Sequence, residues 1–220
     1  MSVPETMDFR IIANRAVSIE SLRTHLLDTA PALPKVATRG DFDLDPVQLP
    51  PAPRALSPAA VLIPIVKRSE PSVLFTQRTD TLSRHAGQVS FPGGAASDSD
   101  GSLVETALRE TFEETGILSD FVTVAGFLDA YETGTGYAIL PVVGLLSSGF
   151  ALVPNVSEVA GVFEVPLSFL IDPKNRLRHS REFNGRTRKF YAFTWHDRYI
   201  WGATAAMIVN LGDRLHSNAP

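Results

Sequence analysis

The sequence predicts an α/β fold in which a mixed β-sheet lies between helices as an α/β/α sandwich. Helical periodicity predicts one central helix at residues 102–115 and one terminal helix at residues 201–211. Short apolar runs rich in β-branched residues predict the strands, at residues 60–66, 72–77, 122–128, 138–145 and 161–165. Strands mixed with one central and one terminal helix indicate this arrangement.

The composition is that of a globular protein without an evident polyanionic partner. The 220 residues suit one large domain with extensions, and 44% of them are apolar. A net charge of −4 gives no electrostatic reason to expect nucleic acid or an anionic membrane. The absence of cysteine excludes disulfides, Cys-ligated zinc and thiol catalysis. It is typical of a reducing compartment, so we expect a cytoplasmic protein.

The chain divides into an extension, residues 1–58, and a compact domain, residues 59–215. A short amphipathic helix is predicted at residues 19–27. Residues 31–58 are rich in proline and alanine and show no clear period, which is typical of an extended linker that lies on the domain. We therefore expect the domain to fold without the extension.

One uncharged segment, residues 133–157, is long enough to span a bilayer. Glycine and proline interrupt it repeatedly, as at Gly134, Gly144 and Pro154. This punctuation favours two buried strands joined by a turn, so no membrane association is expected.

Smaller elements flank the predicted core. The first two strands are separated by residues 67–71, which predicts a hairpin. Residues 166–171 predict a short helix that ends at Asp172–Pro173. The pair Asn184–Gly185 between two strand-like runs is a strong signal for a two-residue hairpin.

Three glutamates on the central helix are the most informative feature. Glu110, Glu113 and Glu114 stand at positions i, i+3 and i+4, which lie on one helical face. Like charges at this spacing repel each other, and a divalent cation with oxygen ligands would offset the repulsion. The alternative to a metal site is a solvated acidic face with no functional role. Apolar side chains such as Leu108 and Phe112 are predicted to pack on the opposite side.

The glutamates lie in the run from Arg109 to Ile117, Arg-Glu-Thr-Phe-Glu-Glu-Thr-Gly-Ile, which follows Gly94 and the acidic residues Asp98 and Asp100. Together these residues resemble the Nudix box. Three departures occur: Thr111 stands where an aliphatic residue is usual, Asp100 stands where a glutamate is usual, and the gap to Arg109 is one residue longer.

A second motif comprises residues 74–78, Leu-Phe-Thr-Gln-Arg, and residues 87–94, Gly-Gln-Val-Ser-Phe-Pro-Gly-Gly. It resembles the motif of the coenzyme A pyrophosphatase branch of the Nudix hydrolases. That branch also tends to have the longer gap. The second arginine of the branch is expected at Ser83, and Arg84 is its neighbour.

The resemblance implies a Nudix-type sandwich and a set of site residues. The glutamates Glu110, Glu113 and Glu114, with the Gly94 carbonyl, would hold Mg²⁺ or Mn²⁺, which activates a water for attack on a diphosphate. Arg109 would hold one of these glutamates through a paired hydrogen bond. The catalytic base would be one of them, such as Glu113, or the downstream Glu158. The residues expected to contact substrate are Arg78, Arg84 and Gly93.

The function so implied is metal-dependent hydrolysis of coenzyme A or its derivatives to 4′-phosphopantetheine, or its acyl form, and adenosine 3′,5′-bisphosphate. Two alternatives stay open: a Nudix hydrolase of another nucleoside diphosphate such as ADP-ribose or of a nucleoside triphosphate, and a non-catalytic ligand sensor. The partner is therefore a small molecule, and a homodimer is also left open.

A basic cluster around the second hairpin has two interpretations. It is either a solvated surface or a contact for the 3′-phosphate of coenzyme A. Trp195 and Trp201 are predicted to belong to the core rather than to stack on a ligand. The cluster comprises Arg176, Arg178, Arg181, Arg186, Arg188 and Lys189.

Overall fold

A computed structural model describes residues 22–31, 33, 39–44, 55–80, 87–183 and 186–217 of the chain. This part forms two β-sheets and three α-helices. The helices are α1 (Leu103–Thr115), α2 (Leu167–Ile171) and α3 (Ala203–His216). The strands are β1 (Arg39–Gly40), β2 (Ser57–Val66), β3 (Ser72–Arg78), β4 (Val89–Ser90), β5 (Gly93–Ala95), β6 (Val122–Phe127), β7 (Tyr131–Glu132), β8 (Tyr137–Leu146), β9 (Val159–Pro166), β10 (Leu177–Phe183), β11 (Arg186–Trp195) and β12 (Arg198–Trp201).

The main sheet is mixed, as predicted. Its centre is the parallel pair β2 and β8, which is in register from Ser57 opposite Tyr137 to Val66 opposite Leu146. On the other side of β2, first β5 and then β3 pair with it in antiparallel fashion. Strand β9 pairs antiparallel with β3, and β6 with β8. The hydrogen-bonded path through the sheet is therefore β1-β7-β8-β2-β3-β4, with β5, β6 and β9 beside it.

Both faces of this sheet are covered, which explains why its central strands read as unbroken apolar runs. Ile63 and Ile65 of β2 point to one face, where α2, α3 and the second sheet pack. Leu62 of β2 and Val142 of β8 point to the other face, where they meet Ala107 of α1. The alternation of side chains along each strand thus builds two cores. The α/β/α sandwich predicted from the sequence is confirmed.

The central helix begins and ends where the sequence predicts. The Ser102 hydroxyl accepts a hydrogen bond from the Glu105 N–H at 3.2 Å, as an N-cap does. Gly116 ends the helix with φ 75°, a left-handed conformation that favours glycine. Its N–H donates to the Phe112 carbonyl at 2.8 Å. The short helix at residues 166–171 is also found, as α2.

Two sequence-based assignments need correction. The uncharged segment 133–157 contains one long strand, β8, where two strands were predicted, and residues 147–158 form a connection to β9. This connection follows the end of α1: the Val153 N–H donates to the Thr115 carbonyl and the Asn155 N–H to that of Glu114. The terminal helix begins at Ala203, because Trp201 still pairs with Ala192 as the last residue of β12. In the described part of the chain no helix is both long and apolar enough to cross a membrane.

The second sheet consists of β10, β11 and β12. Strands β10 and β11 pair antiparallel as far as Phe183 opposite Arg186, and the turn predicted between them, Asn184–Gly185, lies outside the described residues. Phe193 and Ile200 on one of its faces are buried in the core beside α3. Arg198 joins the two sheets, because its guanidinium donates to the Gln77 side chain and lies 4.9 Å from the Phe163 ring centroid.

The described parts of the N-terminal extension are built into the domain. Leu22 is fully buried in the main core, and Leu27 pairs with Phe127 through two backbone hydrogen bonds of 2.9 and 3.0 Å. Strand β1 adds to β7 in parallel. Of the helix predicted at residues 19–27, residues 19–21 lie outside the described residues, residues 22–23 are helical, and the helix has ended before Leu27. Of the linker predicted at residues 31–58, β1 lies on the domain. The division of the chain at residue 58 stays a prediction.

We predict that Leu22→Ala destabilises the protein by about 2–5 kcal/mol, because it leaves a cavity in a filled core. The half-exposed Leu118 provides a matched control, and Leu118→Ala should change the free energy of unfolding by no more than about 0.5 kcal/mol. Chemical denaturation measures both variants. If the two variants are equally stable, Leu22 contributes nothing to the core. That result would support the expectation that the domain folds without the extension.

Candidate active site

A glycine strand lets α1 lie close against the main sheet. Strand β5 carries Gly93 and Gly94, which pair with Val61 and Ala60 of β2. A Cβ atom added to Gly94 would lie 2.5 Å from the carboxyl carbon of Glu110. A Cβ atom on Gly93 would lie 2.4 Å from the Ala60 carbonyl oxygen. Glycine at position 94 is therefore required for Glu110 to approach the β5 backbone, and glycine at position 93 for β5 to lie against β2.

Glu114 is the buried carboxylate of the site. Its side chain is only 4% exposed, and it accepts a hydrogen bond from the Gly93 N–H. Desolvation raises its pKa to about 8, an effect reinforced by the negative charges of Glu110 and Glu158 and opposed by the positive charge of Arg78. Within the described residues, its Oε2 has no hydrogen-bond partner. A buried polar atom of this kind is costly unless something binds it.

Glu110 lies beside it and is also partly withdrawn from water. Burial raises its pKa, the Arg109 guanidinium lowers it, and the charges of Glu113 and Glu158 raise it further. Because Glu158 acts electrostatically on both Glu110 and Glu114, the downstream carboxylate predicted as a base lies near the helix carboxylates.

Arg109 holds two of the three glutamates. Its Nη1 donates to Glu110 Oε1 at 2.8 Å and to Glu113 Oε2 at 3.1 Å. The paired hydrogen bond predicted for this arginine goes to Asp100, at 2.8 and 2.9 Å, rather than to a glutamate of the helix. The guanidinium therefore offsets part of the repulsion between the carboxylates without a metal.

Asp100 is the anchor of this arrangement. In addition to Arg109, it accepts hydrogen bonds from the Thr106 hydroxyl at 2.8 Å and the Ser97 N–H at 2.9 Å. These donors, with Arg109 first, hold the pKa of Asp100 far below its usual range. Aspartate at position 100, where a glutamate is usual, can therefore still bind Arg109, because the tight turn brings its shorter side chain within reach.

The faces of α1 differ from the sequence-based interpretation in one respect. Phe112, predicted to pack, is 50% exposed. The buried stripe instead comprises Ala107, Thr111, Glu114 and Thr115, which recur at helical spacing. Glu114 thus lies on the packed side of the helix, whereas Glu113 is about half exposed. The three glutamates span the boundary between the core and solvent.

The connection before β9 carries Glu158. Its Oε1 accepts a hydrogen bond from the Asn155 side-chain amide at 3.2 Å, and its carbonyl accepts one from the Thr79 N–H at 2.9 Å. Asn155 also bonds to Ser157 and, through its own N–H, to the carbonyl of Glu114. Asn155 therefore ties Glu158 to the end of α1.

Arg78 reaches the same place from β3. Its Nη1 lies 3.8 Å from Glu114 Oε1, and its Nε is buried without a hydrogen-bond partner in the described part of the chain. The Arg78 N–H donates to the Gln88 carbonyl, and the Gln77 side chain donates to that of Gly87. The two halves of the second motif are thus hydrogen-bonded neighbours. Arg84 lies outside the described residues, and Gly93 directs its N–H to Glu114; their predicted contacts with substrate stay predictions.

The arrangement gathers carboxylates but does not present a finished metal cluster. Among the described side chains, no three histidine, aspartate or glutamate groups already converge on one point. Arg109 occupies Glu110 and Glu113, and Arg78 faces Glu114. The carboxylate oxygens are the hard ligands that Mg²⁺ and Mn²⁺ prefer.

The sequence assigned no definite role to two residues of the site. Asp100 was named as part of the resemblance, but an acidic residue in a Ser-Asp-Gly turn is commonly just a turn residue. Asn155 lies in an uncharged segment and carries no signal of its own. Only the packing of this segment against α1 reveals its contact with Glu158.

We predict that Asp100→Asn lowers the midpoint of thermal unfolding at pH 7, because it removes the charge that pairs with Arg109. The pKa of Asp100 is lower in the folded protein, so its stabilisation is present above the unfolded pKa of about 3.9 and is lost as pH falls below it. The difference from the unaltered protein should therefore shrink below about pH 4. Asp98→Asn, in the same turn but exposed, should change little. A difference that is constant from pH 7 to 3 would contradict this account.

Comparison with known proteins agrees with the geometry. The NUDIX domain family model matches residues 56–167, about half of the chain. A Nudix hydrolase named NudL from Photorhabdus laumondii is 41% identical over 173 residues, which are 77% of this chain and 92% of that protein. The NudL of Yersinia enterocolitica is 43% identical over 164 residues, covering 72% of this chain and 81% of that protein.

Solved structures with a similar arrangement include an Ap4A hydrolase of C. elegans in a binary complex. It is 19% identical, covers 50% of this chain and 80% of its own, and has a TM-score of 0.43. The NUDIX domain of Shewanella oneidensis NrtR, complexed with ADP ribose, is 19% identical, covers 52% of this chain and 75% of its own, and has a TM-score of 0.41. On the family model and the NudL relatives, this chain belongs to the Nudix hydrolase family.

Proposed function

We propose that this Nudix hydrolase is a metal-dependent diphosphatase that cleaves coenzyme A or its derivatives to 4′-phosphopantetheine, or its acyl form, and adenosine 3′,5′-bisphosphate. The observation that carries the proposal is the assembly of the second motif. Residues 74–78 and 87–94 are separated along the chain but are neighbours in the fold, because Gln77 and Arg78 form hydrogen bonds with Gly87 and Gln88. Through Arg78 this unit approaches Glu114, so the motif of the coenzyme A branch and the Nudix box form one site.

The residues present fit a divalent cation. Glu114 has a buried oxygen without a partner in the described chain, and Gly94 leaves the space into which Glu110 reaches. Nudix hydrolases in general use divalent metal ions. In this proposal Glu110, Glu113 and Glu114, with the Gly94 carbonyl, hold Mg²⁺ or Mn²⁺. When bound, the ion supplies charge neutralisation at the diphosphate and a lower pKa for water.

The protein's own groups divide the remaining work. Glu158 takes the proton of the attacking water as that oxygen bonds to phosphorus and the bridging P–O bond breaks; Glu113 is the alternative base. Asn155 orients Glu158. Arg109, fixed by Asp100, holds the helix carboxylates in position. Arg78, with an unpartnered Nε in the described chain, provides a positive charge for the substrate phosphates.

The two alternative functions, a ligand sensor and a hydrolase of another nucleotide, are not equally supported. The ligand sensor is disfavoured, because the family is that of hydrolases and all three glutamates are in place. Another nucleoside diphosphate, such as ADP-ribose, or a nucleoside triphosphate would use the same carboxylates and stays the alternative substrate.

We predict that Glu113→Gln and Glu114→Gln each lower kcat at least about a hundredfold, because each removes a charge at the site of metal binding while keeping the side-chain size. Glu105→Gln is the matched control: Glu105 is exposed in the first turn of the same helix, and its amide variant can still accept the Gly101 N–H. It should keep full turnover. EDTA should abolish activity and excess Mg²⁺ restore it. Near-normal turnover in either site variant would defeat the metal mechanism.

The substrate is tested by a panel with product identification. We expect coenzyme A to be cleaved with a higher kcat/KM than ADP-ribose or nucleoside triphosphates, and its products to be 4′-phosphopantetheine and adenosine 3′,5′-bisphosphate. Mass spectrometry of the products identifies the bond that is broken. Faster cleavage of ADP-ribose would contradict the substrate proposal and would indicate that Ser83, which replaces the second arginine of the branch motif, marks a different specificity.

A further inference from the structure

The second sheet has one face that its packing does not explain. Because side chains alternate along a strand, the residues on the same side as Phe193 and Ile200 enter the core, and their neighbours point away from it. That outward side carries four rings, which we call the aromatic face: His179, Phe190, Tyr199 and Trp201.

The rings of the aromatic face contact one another. His179 and Tyr199 are stacked with centroids 5.9 Å apart, and His179 Nδ1 lies 2.6 Å from the Tyr199 hydroxyl. Phe190 lies between them and Trp201, at 6.1 Å from His179 and 5.4 Å from Trp201. Trp201, predicted to be a core residue, thus belongs to a surface, while Trp195 packs against the core.

This surface is concave and open to solvent. A cavity of about 580 Å³ is lined by the four rings together with Arg178, Ser180 and Arg181. His179 is exposed, and Tyr199 is 40% exposed. Aromatic rings that stack on one another but stay accessible to solvent are unusual on a purely structural sheet face, because apolar surface that remains in water does not stabilise the fold.

The lining of this cavity is positively charged. Arg178 and Arg181 line it, and no described carboxylate does. In the described part of the chain, no carboxylate forms an ion pair with Arg181. An anionic ligand would complement this charge.

We propose that the aromatic face binds a phosphorylated nucleoside, with the base stacked on the rings and the phosphate held by Arg181. Flat π-surfaces accept any nucleobase, and guanidinium groups pair with phosphate oxygens through directed hydrogen bonds. The second sheet and α1 pack on opposite faces of the main sheet, so this site is separate from the carboxylates of α1 and its ligand is a free nucleotide.

The site is tested by calorimetric titration with adenosine 3′,5′-bisphosphate, adenosine and inorganic phosphate. Arg181→Ala and Tyr199→Ala should each weaken binding of the bisphosphate about tenfold or more, the range of a charge-assisted bond or a stacked base. Tyr199→Phe keeps the ring and should bind within about twofold of the unaltered protein. Lys189→Ala removes the same charge from the opposite face of the same hairpin and should have no effect.

Equal affinity of all variants, or no binding of the bisphosphate, would overturn the proposal. Unfolding midpoints within the range of the control exclude loss of folding as the cause of weaker binding. If Tyr199→Phe loses as much affinity as Tyr199→Ala, the hydroxyl rather than the ring is the contact and stacking is excluded.

Kinetics separate this inference from the proposed function. Because the site is separate from the carboxylates of α1, Arg181→Ala should weaken binding of the bisphosphate and leave kcat and KM for coenzyme A unchanged. If coenzyme A is cleaved and Arg181→Ala does not change binding of the bisphosphate, the inference fails and the function stands. If coenzyme A is not cleaved but the bisphosphate binds through Arg181 and Tyr199, the function fails and the ligand is a separate nucleotide.

Discussion

The close approach of α1 to the glycine strand β5 determines the rest of the site. It places Glu114 on the packed side of the helix, where burial raises the pKa of its carboxyl to about 8, and it brings Glu110 over the Gly94 position. A protein selected for stability alone would not bury these carboxylates together. The cost is offset by Ala107 and Thr111, which pack in the same stripe, and by the Arg109–Asp100 pair. The energetic cost of burying these carboxylates is therefore local and lies where chemistry is expected.

Much of the fold follows from periodicity. The central helix was predicted to within a residue because Ser102 and Gly116 are strong local signals with a defined geometry. The long parallel pair β2 and β8 was visible as two apolar runs, but the parallel register was not, since it depends on the crossover through α1. The role of Leu22 could not be predicted, because a residue in an isolated amphipathic turn gives no indication of the core it enters.

The site, like the fold, combines features that the sequence predicts with features that depend on tertiary packing. The three glutamates and Arg109 are readable from spacing, since helix geometry alone puts them together. Which of them is buried is not readable: Phe112 is half exposed and Glu114 is buried, because the contact with β5 is stronger than the apolar preference of one side chain. Glu158 and Asn155 enter through a connection with no regular structure, so their distance from α1 depends on tertiary packing.

The central claim is that the buried carboxylates of α1 form a cation site rather than a packing arrangement. The most direct test is the midpoint of thermal unfolding as a function of Mn²⁺ concentration, without substrate. At 100 times the dissociation constant, a bound ion stabilises the folded state by about 2.7 kcal/mol, so the midpoint should rise for the unaltered protein. It should not rise for Glu114→Gln at the same concentrations. An equal rise in both proteins, or none in either, would contradict the account.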